Sequence, residues 1–504
     1  MPESTAADLI AHARETHVAV IGSGIAGLVA ALECAKVGIA VTVFEAAPHP
    51  GGALAGADVD GLRLDLAADG FAPGDPALTA LLDELGLGAE IVTAPSGVTW
   101  ISGLPGGAAP LPADSLLGIP ANPWADDVRR FIGWRGAWRA YLDRLRPPLT
   151  IGHEQRLGKL VRGRMGDRVA DRMVAPLARG MFGLDPDQLD VDELVPGLNT
   201  ALTRVGSLSG AVTQHLPERP ERATLAGGMA RLVDALVTRI AELDGEVRVG
   251  VPITGLARTG KGWQLRSSEA EEPVTVDAVI VATGEAEARR LLGSALPTLA
   301  EASRPVSLVD IVTLVVTAPA LDKHPRGVAV YPVPGTSTAL AVNHLTAAWP
   351  ALADAAGAGR HVVRVTLPTE ETVAPELPVG AEQAMLAAVA SPGTKALPAG
   401  NAAETAAAES ALVAEALGAA SSMLDVDLGP GHLSAARWLR TEWAPPASTL
   451  GHAAKTAAVR SSVHAVDVLA VVGAWAAGSD LDDVVADARA EAERIRQHVL
   501  WGRP

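Results

Sequence analysis

Three glycines and one carboxylate between residues 17 and 45 have the types and spacing that suit a nucleotide pyrophosphate. Gly22-Ser23-Gly24-Ile25-Ala26-Gly27 puts glycine at the first, third and sixth positions of a short segment. There Gly22 permits the sharp bend, Gly24 lets a pyrophosphate approach the backbone, and Gly27 lets a helix pack closely on a strand. The first N–H groups of that helix lack intrahelical partners, so they and the helix dipole favour an anion. Glu45, at the end of the next apolar run, can accept the hydroxyls of a ribose.

A strand, a helix and a second strand must hold these groups. His17–Ile21 is a short apolar run, a helical pattern extends from the glycines through Val37, and Ile39–Phe44 is β-branched and stops at Glu45. Similar endings recur along the chain. Leu225-Ala-Gly-Gly228-Met leads into an amphipathic helix through Leu243, and Glu246–Val251 then reads as a strand. Asp277 to Ala282 is a buried strand ending in a turn. Val468–Val472 runs into Gly473, a loop to Gly478, and a helix from about Leu481 that opens on Ser479, Asp480, Asp482 and Asp483. Asp482 and Asp483 read as ordinary capping residues. The alternation of strands and helices predicts an α/β fold with a Rossmann-like unit.

Length and composition fit an enzyme of two or three domains, since 504 residues with 48% hydrophobic content support sizeable cores. The single cysteine, Cys34, excludes an intramolecular disulfide and reads as a core residue. Met1–Glu15 carries acids without an apolar core, so no signal peptide is expected and the compartment is expected to be cytoplasmic. The longest uncharged stretch, Gly327–Ala353, is broken by prolines, which argues against a spanning helix. A helical, arginine-rich region is expected from about 105 to 215, and a strand-rich one from about 300 to 367 that resumes near 420. Glu370–Asn401 reads as an insertion of loops around one helix, and Ala402–Leu417 as an alanine-rich helix.

The net charge is −17, yet Arg129–Arg179 holds thirteen arginines and lysines against four acids. Trp124, Phe131, Trp134, Trp138 and Tyr141 lie in or beside it, and the last four are expected on one helical face. Three accounts stand: aromatics on the core with arginines in solvent, a mouth for a flat polyanionic substrate, or an edge resting on a membrane or partner protein. Nucleic acid is disfavoured by the acidic remainder. No Ser/His/Asp triad, metal cluster or carboxylate pair can be picked out. His452, after a glycine, reads as a structural hydrogen-bonding residue.

Glu45 followed by Gly51-Gly52 and a hairpin-like Asp58–Asp65 resembles the glutathione-reductase-type flavoprotein opening, which favours FAD over NAD. Pro48-His49-Pro50 stands where such proteins usually carry a cation. Further on, Leu81–Leu87, Gly166–Gly183, Leu189–Leu198, Val306–Val315, Gly327–Pro332, Ala341–Pro350, Arg437-Trp438, Trp443, Gly451-His452 and Val472-Gly473-Ala474 are similar to the FAD-dependent protoporphyrinogen and coproporphyrinogen III oxidases. The likeness covers nearly the whole chain.

That resemblance implies a p-hydroxybenzoate-hydroxylase-like FAD-binding domain (1–75, 220–290 and 440–504), a mixed-sheet substrate domain (76–104 and 291–439) and an inserted helical domain (105–219). It implies oxidation of a porphyrinogen to a porphyrin in haem synthesis in three two-electron steps, with dioxygen reoxidising FAD and hydrogen peroxide released. Coproporphyrinogen III is preferred over protoporphyrinogen IX. FAD would be held by Gly22, Ser23, Gly24, Ile25, Ala26, Gly27, Glu45, Gly51, Gly52, the Val251 backbone, Ala282, Gly473, Gly478, Asp480 and Leu481. The helix starting at Asp480-Leu481 would stabilise the reduced ring. Arg179 and Gly180 would lie along the substrate cavity, Arg179 reading equally as a structural ion pair. A ferrochelatase and a peripheral membrane contact are the implied partners. Pro95-Ser96-Gly97, Gly183-Leu184 and Pro446-Ala447-Ser448 depart from the family pattern and point to an altered pocket. Two other readings stay open: an amine-oxidase-like enzyme on a non-porphyrin substrate, and a non-catalytic flavin- or porphyrin-binding protein.

Overall fold

The computed structural model describes residues 6–502 apart from 75, 96, 146–153, 217–220, 261, 269–271, 294, 297–298, 300–305, 374–401 and 443–446. Five strands form a parallel sheet in the order Glu246–Arg248, Ala40–Phe44, His17–Ile21, Ala278–Val281, Leu469–Val471. The four strands other than the edge strand Glu246–Arg248, whose Glu246 and Arg248 are exposed, are mainly apolar without alternation because both faces are covered. Val18, Val20, Val41, Val43, Ile280 and Ala470 point into one core, whereas Ala19, Ile21, Phe44, Val279, Val281 and Val471 point into another. The first core is closed by the helices Ile25–Ala35, Pro76–Glu84, Ala230–Glu242 and Leu481–Trp501. Pro76–Glu84, placed in the substrate domain by the sequence reading, instead joins this first core against Leu481–Trp501. The second core is closed by the three-stranded sheet Ile253–Arg258, Trp263–Ser267, Val274–Val276 and by the helices Glu285–Leu292 and His452–His464.

A seven-stranded mixed sheet runs Leu433–Glu442, Val306–Thr317, Arg360–Val373, Ala341–His344, Ala329–Pro332, Thr99–Leu104, Gly107–Pro110. Its pairs are antiparallel except Ala329–Pro332 with Thr99–Leu104. The helix Ala402–Leu424 covers one face through Ala416, Leu417, Ala420, Met423 and Leu424. On the other face the hairpin Gly56–Val59/Leu62–Asp65 docks through Val59, Leu62 and Leu64 onto Val315 and Val362. That hairpin links this sheet to the glycine turn.

Several expectations need correction. Glu370–Val373 is the end of a strand, not the start of a loop insertion; the rest of that insertion lies outside the described residues. The alanine-rich helix continues to Leu424, so strands resume at Leu433 rather than near 420. The helix Asp126–Tyr141 is broken at Gly133, whose φ of 65° only glycine adopts readily. The break rotates the two halves, so the four aromatics do not share a face. Phe131 is fully buried, while Trp134 and Trp138 are 68% and 57% exposed. The exposed pair leans on Trp124 with ring centroids 6.2 and 6.0 Å apart, and the Arg129 guanidinium lies 4.1 Å from the Trp134 centroid. Among the described residues no helix is long and apolar enough to cross a membrane.

Candidate cofactor site

The turn after His17–Ile21 is fixed by three close approaches. Gly22 has a φ of 103°, and a Cβ there would stand 2.6 Å from the Ala282 carbonyl oxygen. A Cβ on Gly27 would stand 2.0 Å from the Gly22 carbonyl oxygen. Ala282 joins the same junction, its N–H donating to Ile21 O at 2.7 Å. Gly24, at the N-cap of Ile25–Ala35, is different, for a Cβ there would meet nothing within 4 Å. No protein atom demands glycine at that position, whereas a pyrophosphate drawn to the Ile25 and Ala26 amides would fill the space. The residues present fit a dinucleotide on this ground.

Glu45 braces the turn. Its Oε2 accepts the Ser23 N–H and the buried Ser23 hydroxyl, both at 2.7 Å, and its Oε1 accepts the Ala47 N–H at 2.8 Å. A carboxylate has about four lone-pair positions, so one on Oε1 stays open for a ribose hydroxyl. Gly51 (φ 118°) donates its N–H to Ser23 O at 3.0 Å and pairs with Gly24. A Cβ on Gly52 would come within 3.3 Å of the Gly24 Cα. Val251 donates its N–H to Glu45 O at 2.8 Å. That amide is engaged by protein, which leaves the Val251 carbonyl to meet a ligand. A cavity of about 360 Å³ opens beside the Gly-Gly turn, lined by His49, Pro50, Asp58, Arg63, Asp234 and Arg437 among others, so cations and acids both approach the stretch that lacks a cation in sequence.

Gly473 and Gly478 follow the strand Leu469–Val471, with φ values of 131° and 112°. Gly473 is anchored near Ala282 by the Trp475 indole, which donates to Thr283 O at 3.1 Å. Thus Gly22, Ala282 and Gly473 sit at the carboxyl ends of three adjacent strands, where open α/β sheets bind ligands. Asp480 is the N-cap of Leu481–Trp501 and accepts the Asp482 N–H at 3.1 Å. Asp482 caps a different helix, accepting the Leu78 N–H at 2.8 Å. Burial, with Asp480 and Asp482 adding repulsion, pushes the Asp483 carboxyl up.

Arg179 and Gly180 lie apart from this turn, on the helix Ala175–Phe182. Arg179 pairs with Asp185 at 2.6 Å, an ion pair with a neighbouring acid of the kind that the sequence left open beside a substrate role. Gly180 presses on Tyr331, where a Cβ would fall 2.1 Å from the ring. His452 is buried and its Nε2 lies 3.3 Å from the Thr456 hydroxyl. Trp443 and Pro446 lie outside the described residues.

Sequence reading missed a polar network at the seam between the two large sheets. Asp69 Oδ2 accepts the Trp349 indole N–H at 2.7 Å and an Arg222 N–H at 3.4 Å, and Oδ1 accepts from Arg364 at 3.2 Å. Burial raises the Asp69 carboxyl, but Arg364, Arg222 and Trp349 outweigh it and hold the group below the usual range. Asp65 accepts the Met229 and Ala230 amides at 2.9 and 3.0 Å, yet burial keeps its carboxyl raised. Burial pushes the Tyr331 phenol to about 12. The available signal was Arg364 itself, a charge inside the apolar run His361–Leu367 that had to find a partner.

The family model for flavin-containing amine oxidoreductases matches residues 25–496. The coproporphyrinogen III oxidase of Propionibacterium freudenreichii is 27% identical over 98% of this chain and 93% of its own length. The coproporphyrinogen III oxidase of Mycobacterium tuberculosis is 30% identical over 62% of this chain and 69% of its own. A crystal structure from Exiguobacterium sp. shares the fold with a TM-score of 0.75 at 21% identity, covering 96% of this chain and 99% of that one. The chain therefore belongs to the flavin-containing amine oxidoreductase family, and it is an FAD-dependent oxidase.

Proposed function

We propose that this enzyme oxidises a porphyrinogen to a porphyrin in haem synthesis, coproporphyrinogen III in preference to protoporphyrinogen IX, with dioxygen as the final acceptor and hydrogen peroxide as its product. The observation that carries this is the likeness to the Propionibacterium coproporphyrinogen III oxidase along almost the full length of both chains. Bound FAD would supply the hydride acceptor. The protein's part is to bind, orient and exclude. In this reading Gly24, Ile25 and Ala26 receive the pyrophosphate, the open Oε1 position of Glu45 and the Val251 carbonyl face the adenosine half, and Ala282, Gly473, Gly478 and Asp480-Leu481 border the ring end. Segments 1–75, 220–290 and 440–504 would form the FAD-binding unit, with Pro76–Glu84 added to it. Segments 91–104 and 291–439 would form the substrate unit, and 105–219 the helical one.

Charge favours an acidic substrate over an amine. A polyamine would face the half-exposed Arg222, whereas a propionate would be attracted by it. The tetra-acid is preferred because it offers more carboxylates to such a site than the di-acid. Aerobic assays of the purified, FAD-loaded chain with each porphyrinogen and with putrescine test the reading. Porphyrin fluorescence rising together with peroxide, faster for coproporphyrinogen III, is the expected result. Peroxide from putrescine without porphyrin from either porphyrinogen would replace the proposal with amine oxidation.

A further inference from the structure

We propose that Arg222 recognises a carboxylate of the substrate and that Asp69 and Trp349 hold it in place, an inference that rests on the porphyrinogen reading and names a residue for it. Arg222 stands on the strand Glu221–Leu225, antiparallel to Ile91–Pro95 and opposite Ala94. The strand lies along the seam. Its Ala223 bridges to Phe71 and its Leu225 packs with Ile91 in the core of the nucleotide sheet. On the other side, Arg222 meets Asp69, in the loop after the hairpin, and the ring of Trp349 at the start of Pro350–Ala356, while Asp69 in turn holds Arg364 of the seven-stranded sheet. Tyr331 stands near enough for the Arg222 charge to act on its phenol, and Gly180 packs against that ring.

Among the described residues, the charge balance in this cluster leaves Arg222 in surplus. One carboxylate, Asp69, is shared between two guanidiniums. Arg364 is 4% exposed and donates further to the Ala67 and Asp65 carbonyls, so its charge is enclosed. Arg222 is 43% exposed and reaches Asp69 only at 3.4 Å. Asp65 is turned to the Met229 and Ala230 amides. The other strand of the pair offers no cation, reading Ile91-Val92-Thr93-Ala94-Pro95. Guanidinium carries five N–H donors in a planar fork, so a single long hydrogen bond leaves most of them for a ligand. The Trp349 ring centroid lies 5.1 Å from the Arg222 Cζ, and stacking on it limits the orientations of the fork.

Full-length, FAD-loaded wild type, Arg222→Gln and Arg222→Lys are compared on coproporphyrinogen III and on its tetramethyl ester. Wild type is expected to favour the acid. Losing a charge-assisted pair predicts that Arg222→Gln raises KM for the acid by about tenfold or more. KM for the ester should not move, and kcat should fall less than KM rises. Arg222→Lys keeps the charge without the fork and should fall between the two. FAD content and Tm report folding; if Arg222→Gln loses either, the acid-to-ester ratio of Arg222→Lys decides. An unchanged acid KM, or equal losses on acid and ester, overturns the role of Arg222. No porphyrin from the wild type with any porphyrinogen is a separate result, seen before any substitution, and it removes the porphyrinogen reading together with this inference.

Discussion

A Cβ on Gly27 would stand 2.0 Å from the Gly22 carbonyl oxygen, whereas one on Gly24 would meet nothing within 4 Å. Substitutions three residues apart should therefore fail in different ways. Gly27→Ala forces backbone apart and should cost about 1–3 kcal/mol of stability. Gly24→Val, at a φ of −63° that any residue adopts, should cost at most about 1 kcal/mol as a poorer N-cap, while FAD is lost because the branched side chain occupies the pyrophosphate's place. Tm and the flavin-to-protein absorbance ratio check both; full flavin in Gly24→Val would contradict the assignment. The tasks of Gly22, Gly24, Gly27 and Glu45 were legible because a strand, a turn and a helix in sequence are also adjacent in space. The seam was not. Asp69, Arg222 and Arg364 are each 142 or more residues apart in the chain, and nothing local says which acid a buried arginine will find.

Elements add a second kind of prediction, through the ion pairs that dock the last helix. Glu491 on Leu481–Trp501 is buried, which alone would raise its carboxyl, but Arg460 and Arg494 outweigh burial and hold it below the usual range. A depressed carboxyl contributes stability that is present above its unfolded pKa and lost as pH falls through its folded one. Arg460→Met should therefore destabilise by up to about 3 kcal/mol near neutral pH, since Glu491 keeps Arg494 and His464 but loses a guanidinium, and Asp487 loses the same partner. The deficit should shrink toward pH 5 as the carboxyl of the variant takes up a proton. A deficit independent of pH in urea titrations would argue against an uncompensated Glu491. The broken helix Asp126–Tyr141 shows the limit of periodicity at this scale. The spacing of Phe131, Trp134, Trp138 and Tyr141 assumes an unbroken turn of 3.6 residues, and Gly133 removes that assumption without altering composition. With Arg130 and Arg135 also exposed, the outward tryptophans predict salt-sensitive binding to anionic vesicles that weakens in the Trp134→Ala, Trp138→Ala double variant. No sedimentation with vesicles at low salt would dismiss that contact.

Across the whole molecule, two sheets with separate cores meet at a charged seam, and histidines set the acid limit of the second. His344 is fully buried with its Nε2 3.1 Å from His361 Nδ1, His361 reaches Asp322 at 3.0 Å, and the His324 ring stands 5.3 Å from that of His344. Burial, followed by the neighbouring histidines, lowers His344 to about 3; burial also lowers His361, against the pull of Asp322. Histidines kept neutral in the fold give stability that is full above about pH 6.5 and lost as pH falls below it, at up to ~1.4 kcal/mol per pH unit for each. Calorimetry from pH 7.5 to 4.5 should show that decline, with a shallower slope in His344→Asn. Sequence made the parallel sheet legible, because runs apolar on both faces and ending at glycines are characteristic. It did not give the order of the seven-stranded sheet, since antiparallel partners far apart in the chain share only a general β-branched pattern. The most direct test of the central claim is anaerobic mixing of the FAD-loaded chain with coproporphyrinogen III, followed in the flavin absorbance and then, after air is admitted, in porphyrin fluorescence. Bleaching before air and fluorescence after it are the expected result. A flavin that stays yellow with coproporphyrinogen III and with protoporphyrinogen IX would contradict it.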